Sequence, residues 1–293
     1  LAFLIDSICQ YNLERSVLMT DGNLRLAVLI DGDNAPRDCL KSILEEIAIY
    51  GTPTIKRIYG DWASQNIIGW KTELLENAVT PKQQFAYTAG KNSTDSAMII
   101  DAMDILYAGK TDGFVLVSSD SDFTPLAIRL RESGMYVIGI GEAKTPNAFV
   151  QACDKFIRIE VLRDRVKKSL KENTSAARKN DFKNDKIKKD TDTTNNKTAA
   201  KPRTKQESKS PIPEDVIELI VDSIEDLAED DGYTNLSALG NLLIKKKPDF
   251  DSRTYGFGKL STMLKSLPCF EFEMRSTAAD PNAKQIYVTN SEA

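Results

Sequence analysis

The residues best placed to do chemistry are aspartates in three short patches: Asp31-Gly32-Asp33-Asn34, Asp95 with Asp101, and Ser119-Asp120-Ser121-Asp122-Phe123. The first and last each follow an apolar run, Leu26-Ala27-Val28-Leu29 and Gly113-Phe114-Val115-Leu116-Val117. Such runs read as parallel strands buried on both faces. In an open α/β sheet, ligands bind just beyond the carboxyl ends of the strands. Aspartates placed there by several strands converge on one spot, where each raises the pKa of its neighbours. A divalent cation is the usual reason for such a gathering. Each acid taken singly is also what a turn or helix cap requires.

Hard carboxylate oxygens suit Mg²⁺ or Mn²⁺. Such an ion lowers the pKa of a bound water and offsets the charge that develops on a phosphodiester during hydrolysis. The chain has no histidine, which removes Ser-His-Asp and Cys-His nucleophile systems and His-based acid–base cleavage of RNA. The four cysteines, Cys9, Cys39, Cys153 and Cys269, form no CxxC pair. With no histidine beside them, a structural zinc site is not expected. They read as reduced thiols of a cytoplasmic protein.

The elements that must position the acids follow from periodicity. Strand-like runs at 25–30, 54–59, 83–87, 113–118, 136–140 and 156–159 alternate with amphipathic stretches such as Asp38–Tyr50, Ser93–Ala108 and Asp122–Ser133. This alternation predicts a Rossmann-like α/β unit over residues 24–160, a parallel sheet flanked by helices. Residues 1–23 read as an N-terminal extension, with Met19 as an alternative start and no secretory signal pattern in Leu1–Ile5. No stretch has the ~18 consecutive apolar residues of a membrane helix.

The 293-residue chain has net charge −4, yet residues 163–210 hold sixteen Lys/Arg against seven Asp/Glu and few large apolar residues. Residues 161–211 therefore read as a basic flexible linker, and a cationic tether suits a polyanionic partner. Residues 212–290 read as a second small unit. Its expected helices start at Pro213, at Asn235 and at Tyr255 (running to Ser266), and strands follow at 270–274 and 285–288. Three helices and a hairpin of this size suggest a winged-helix α+β domain.

Leu29-Ile30-Asp31-Gly32-Asp33-Asn34, Lys91-Asn92-Ser93-Thr94-Asp95, Asp101-Ala102-Met103-Asp104 and Val117-Ser118-Ser119-Asp120-Ser121-Asp122-Phe123 together resemble an NYN domain of the LabA-like branch of the PIN-like nuclease superfamily. Gly141-Glu142 and Thr145–Asp154 resemble the same branch. The resemblance implies a metal-dependent ribonuclease fold. Carried over, it makes Asp31, Asp95, Asp120 and Asp122 the catalytic and Mg²⁺- or Mn²⁺-binding acids, with Asn34, Lys91, Ser118 and Ser119 positioning the substrate. Ser119 stands where many relatives have Gly. Asp101, six residues after Asp95, belongs on another helix face.

Leu236–Gly240, Lys245-Lys246-Lys247-Pro248 and Phe250–Leu260 resemble an OST-HTH/LOTUS domain, a winged-helix module implicated in binding RNA, including structured or guanine-rich RNA. That resemblance implies an RNA surface including Arg253, Tyr255, Lys259, Lys245, Lys246 and Lys247. The function expected is a metal-dependent ribonuclease with a C-terminal RNA-binding module. The alternatives are a catalytically silent RNA-binding or regulatory protein and, more remotely, a haloacid-dehalogenase-type phosphatase using Asp31 and Asp33. The expected partner is RNA; no membrane partner is expected, and a homo-oligomer is a further option.

Overall fold

The computed structural model describes residues 24–63, 68–85, 93–164, 212–228, 231–276 and 284–291. The expectations for residues 1–23, for most of the linker and for Lys91 fall outside them.

The first unit runs β1 (Leu24–Asp31), α1 (Leu40–Ile47), β2 (Gly51–Gly60), α2 (Lys71–Glu76), β3 (Thr80–Gln83), α3 (Ser93–Ala108), β4 (Gly113–Val117), α4 (Thr124–Glu132), β5 (Tyr136–Gly141), α5 (Asn147–Ala152) and β6 (Lys155–Arg158). Its six strands are all parallel, in the order β3-β2-β1-β4-β5-β6. The chain thus winds outward from β1 to one edge, then returns to β4 and winds to the other. The reversal falls between β1 and β4, where helices on opposite faces part and leave a crevice.

Period-two alternation in the central strands divides the core between the faces. From β1, Leu24, Leu26, Val28 and Ile30 pack with Ile43 and Ile47 of α1. Ala27 and Leu29 face the other way, onto Met98 and Ala102 of α3. In β4, Val115 and Val117 join the first cluster, and Phe114 and Leu116 the second. Both faces of β1 and β4 are buried, so their sequences read as unbroken apolar runs.

β3 begins three residues before the expected strand at 83. Pro81 hides it in the sequence, because proline argues against an interior strand. β3 is an edge strand, where that proline is tolerated. The short helices α2 and α5 fill the gaps between strands where the alternation puts helices, though neither carries a long apolar stripe.

The second unit has α6 (Glu214–Glu225), β7 (Thr234–Asn235), α7 (Leu236–Lys246), α8 (Leu260–Leu264), β8 (Phe270–Ser276) and β9 (Lys284–Asn290). Its antiparallel sheet has the order β7-β9-β8. Asn235 caps α7 by accepting from the Ser237 and Ala238 amides, the role expected of Asn at that position. The third helix begins later than Tyr255. Asp251 caps a short 3₁₀ turn over Ser252–Tyr255, which ends at Gly256 with φ +81°. That left-handed conformation stops the turn, so α8 starts only at Leu260. Val216, Ile220, Leu239, Leu243, Phe250, Phe257, Met263, Phe270 and Val288 form this unit's core.

Candidate active site

β1 delivers Asp31 at its carboxyl end, and β4 delivers Ser118, Ser119 and Asp120 at its own. The strands are adjacent and in register, Ile30 opposite Val117. Asp31 and Ser118 therefore meet across the switch point of the sheet.

Asp120 has extended backbone (φ −86°, ψ 133°) and caps the following 3₁₀ turn, its carboxylate accepting from the Asp122 amide at 2.9 Å. The Asp-x-Asp spacing thus draws both carboxylates to the same side. Asp95 enters from the first turn of α3, where the helix N-terminus favours a negative side chain. One carboxylate oxygen from each of Asp95, Asp120 and Asp122 lies within 4.8 Å of the others. Asp95 and Asp120 are partly buried and Asp122 is exposed, so the cluster faces solvent. A hollow of about 340 Å³ beside it is lined by Asn34, Ser119, Asp120, Ser121, Lys144 and Pro146.

Burial pushes the Asp95 carboxyl up to about 6, and repulsion from Asp31, Asp120, Asp122 and Asp33 adds to it. Asp33 is also raised, by burial and by Asp31, against a hydrogen bond with Thr94. This mutual repulsion is the cost that a bound cation relieves. Three convergent carboxylate oxygens with an open side match the oxygen ligands and residual open positions of Mg²⁺ or Mn²⁺. The donor set therefore fits such an ion.

Asp31 is set apart from that trio. It is 1% exposed. Its Oδ1 accepts from the Asp33 and Asn34 amides at 3.1 and 3.3 Å. Its Oδ2 accepts from Asn34 Nδ2 at 2.7 Å and Ser118 Oγ at 2.8 Å. A carboxylate has about four acceptor positions, and here all four are taken. In this arrangement the Asp31 oxygens serve the turn and Ser118, and the convergent trio is formed by Asp95, Asp120 and Asp122. Asp31 shapes the turn and, through Ser118, the β4 end. Gly32 permits this: a Cβ there would sit 2.7 Å from the Tyr59 carbonyl oxygen, to which the Gly32 amide donates at 2.8 Å.

The expected positioning residues divide likewise. Ser118 Oγ donates to Asp31 and accepts from the Asp120 amide at 3.1 Å, joining the two strands. Ser119 Oγ accepts from the Glu142 amide and so pins the β5 end. Asn34 holds Asp31 and also lines the hollow. Asp33, read from the sequence as part of the first acidic patch, lies close enough to Asp95 to add to its repulsion. Asp101 turns away to β2, where Arg57 and Tyr59 both donate to it.

In the second unit, Lys245 and Lys259 are exposed. Lys246 pairs with Asp226, and Lys247 lies 3.6 Å from Asp215. Tyr255 is partly buried, its ring 6.4 Å from that of Phe250. Arg253, expected on an open RNA face, is bound to Glu46 of α1 and to Asp251. A buried carboxylate 207 residues away in sequence holds the guanidinium.

An uncharacterized protein of Methanocaldococcus jannaschii is 31% identical over 144 residues, which is 47% of this chain and 56% of that protein. The chain thus spans a little over half the length of that curated relative. A crystal structure of a protein of unknown function from Vibrio parahaemolyticus is 19% identical with TM-score 0.40, covering 47% of this chain and 94% of that one. A solution structure of an uncharacterized Nitrosomonas europaea protein is 27% identical with TM-score 0.27, covering 33% and 91%. The NYN domain family matches residues 25–160, and the OST-HTH/LOTUS domain family matches residues 207–281. The chain therefore carries an NYN domain, with a PIN-like α/β fold, followed by an OST-HTH/LOTUS domain.

Proposed function

We propose that this protein is a divalent-metal-dependent ribonuclease whose NYN domain hydrolyses RNA phosphodiester bonds, with the OST-HTH/LOTUS domain contributing RNA binding. The observation that carries the reading is the meeting of Asp95, Asp120 and Asp122, with oxygens within 4.8 Å, at the switch point of the sheet. Those three residues would hold Mg²⁺ or Mn²⁺. Such an ion, when bound, supplies Lewis-acid stabilisation of charge on a phosphodiester. Asp31 fixes the Asn34 turn and Ser118, and Ser118 in turn orients the Asp120 backbone. Asn34 and Lys144 border the hollow and offer donors to a phosphate. With no histidine in the chain, proton transfer falls to carboxylates or water.

The test is incubation of the wild type and Asp120→Asn with labelled single-stranded, duplex and guanine-rich RNA, with and without Mn²⁺. The expected result is Mn²⁺-dependent cleavage by the wild type and its loss in a folded Asp120→Asn. RNA binding that persists in EDTA, with no cleavage under any metal, would overturn the enzymatic reading in favour of an RNA-binding protein. A family fold alone does not establish activity, so this assay decides.

A further inference from the structure

The link between the domains suggests a tether, but the contacts between them describe a built joint. β6 is the outer strand of the parallel sheet. An open edge strand leaves backbone groups unpaired and is a liability. Here the segment after α7 lies along it: the Phe156 amide donates to the Pro248 carbonyl oxygen at 2.9 Å. Around that bond, Lys155 Nζ donates to the Phe250 carbonyl oxygen at 3.2 Å, and Arg158 pairs with Asp249 at 2.7 Å.

Beside it is a second lock. Arg253 makes a two-pronged contact with Glu46, Nη1 to Oε2 at 3.0 Å and Nη2 to Oε1 at 2.6 Å. Asp251 backs the same guanidinium, accepting from Nε and Nη2. Glu46 is 1% exposed and Lys155 6%. Both belong to the NYN domain, and both find these partners on the other domain. In the docked arrangement both charged groups are buried, and a buried charge is stable only when it is paired or hydrogen-bonded, as these are. Phe250, within the docking segment, is also part of the second domain's core, so the segment cannot move independently of that domain.

We infer that the OST-HTH/LOTUS domain is a docked partner of the NYN domain, closing the β6 edge with residues 248–250 and locked by Arg253 on Glu46, so that the two behave as one body. A cleft of about 520 Å³ between the domains is lined by Ala143, Arg158, Glu160, Arg253, Gly256 and Phe257, among others. Ala143 is the neighbour of Lys144, which borders the acidic hollow. RNA held by the second domain would therefore meet the pocket from a fixed direction. The docking itself does not depend on whether the pocket cuts RNA.

The chain's two tryptophans, Trp62 and Trp70, both lie in the NYN domain. Tryptophan fluorescence during heating of the full chain thus reports that domain alone. With the domains docked, Arg253→Ala lowers the fluorescence transition by about 5 °C or more, although the substitution lies in the other domain. A transition unmoved to within about 1 °C overturns the proposal. Hydrogen exchange on the unmodified full chain supplies the second reading. Docking protects the Phe156 amide, whereas an undocked edge leaves it exchanging like an exposed amide. Exchange of Phe156 at the unprotected rate overturns the proposal even if Arg253→Ala proves poorly folded. Neither measurement reads RNA cleavage, so failure here is distinguishable from failure of the ribonuclease assignment.

Discussion

Ser118 Oγ donates to Asp31 Oδ2 at 2.8 Å, joining the carboxyl ends of the two central strands. Both residues are buried, Ser118 at 2% and Asp31 at 1% exposure. The same hydroxyl accepts from the Asp120 amide, so one side chain ties Asp31 to the Asp120 backbone. Ser118→Ala removes both bonds and leaves a buried carboxylate one partner short. The expected loss is about 1–3 kcal/mol in urea unfolding. Mn²⁺-dependent cleavage should fall as well, because Asp120 loses its brace. Unchanged unfolding would show that Asp31 is satisfied in some other way.

The raised pKa of Asp95 predicts a pH dependence that belongs to the metal-free protein. A carboxyl held at about 6 binds protons more tightly in the folded chain than in the unfolded one, where it titrates near its ordinary value of 3.8. Its contribution to stability is therefore fully present below about pH 4 and is lost as the pH rises through about 6. Asp95→Asn removes that slope. In EDTA at pH 7.5 the variant should melt above the wild type, by about 2 °C. The order should reverse in millimolar Mn²⁺, which stabilises the wild type through binding and finds one ligand fewer in the variant. A variant that gains as much from Mn²⁺ as the wild type would remove Asp95 from the metal site.

Much of this arrangement was legible in the sequence because parallel strands buried on both faces announce themselves. Leu26–Leu29 and Phe114–Val117 are such strands, and the acids directly after them had to lie at the carboxyl edge of the sheet. Asp95 was legible from its place at the start of a sixteen-residue helix. The division of labour among the acids was not. Nothing in Asp31-Gly32-Asp33-Asn34 says that Asp31 gives all its acceptor positions to neighbours, since Ser118 is 87 residues away. The pairing of Arg253 was hidden for the same reason. Its surroundings of Tyr255, Gly256 and Lys259 resemble a nucleic-acid surface, while its partner Glu46 is encoded in another domain. Local patterns report the strand and the turn; long-range pairings decide which charges remain available.

Gly32 offers a test of how closely the first acidic turn must approach β2. A methyl group there would meet the Tyr59 carbonyl oxygen at 2.7 Å and Ile58 Cγ1 at 3.2 Å. The carbonyl cannot rotate away without breaking its bond to the Gly32 amide. Gly32→Ala should therefore cost about 1–3 kcal/mol, measured by denaturant unfolding, and shift the backbone that holds Asp33 and Asn34. A neutral result would mean that the turn has room to slide along β2.

The cations of the second domain should not contribute equally to RNA affinity. Lys246 is bonded to Asp226 at 2.5 Å, and Lys247 lies 3.6 Å from Asp215, so each already has a carboxylate neutralising much of its field. Lys245 and Lys259 are exposed, and Lys259 stands at the entrance to α8. If these two reach phosphates, Lys259→Ala or Lys245→Ala should each weaken RNA binding about fivefold near physiological salt and lower the slope of log affinity against log salt by about one. Lys246→Ala should do less, because removing it also frees Asp226. Titrations of labelled RNA at several salt concentrations, with EDTA present to prevent cleavage, separate these outcomes. Equal losses from Lys246→Ala and Lys259→Ala would place the RNA across the α7 end as well, with the Lys246–Asp226 pair opening on binding.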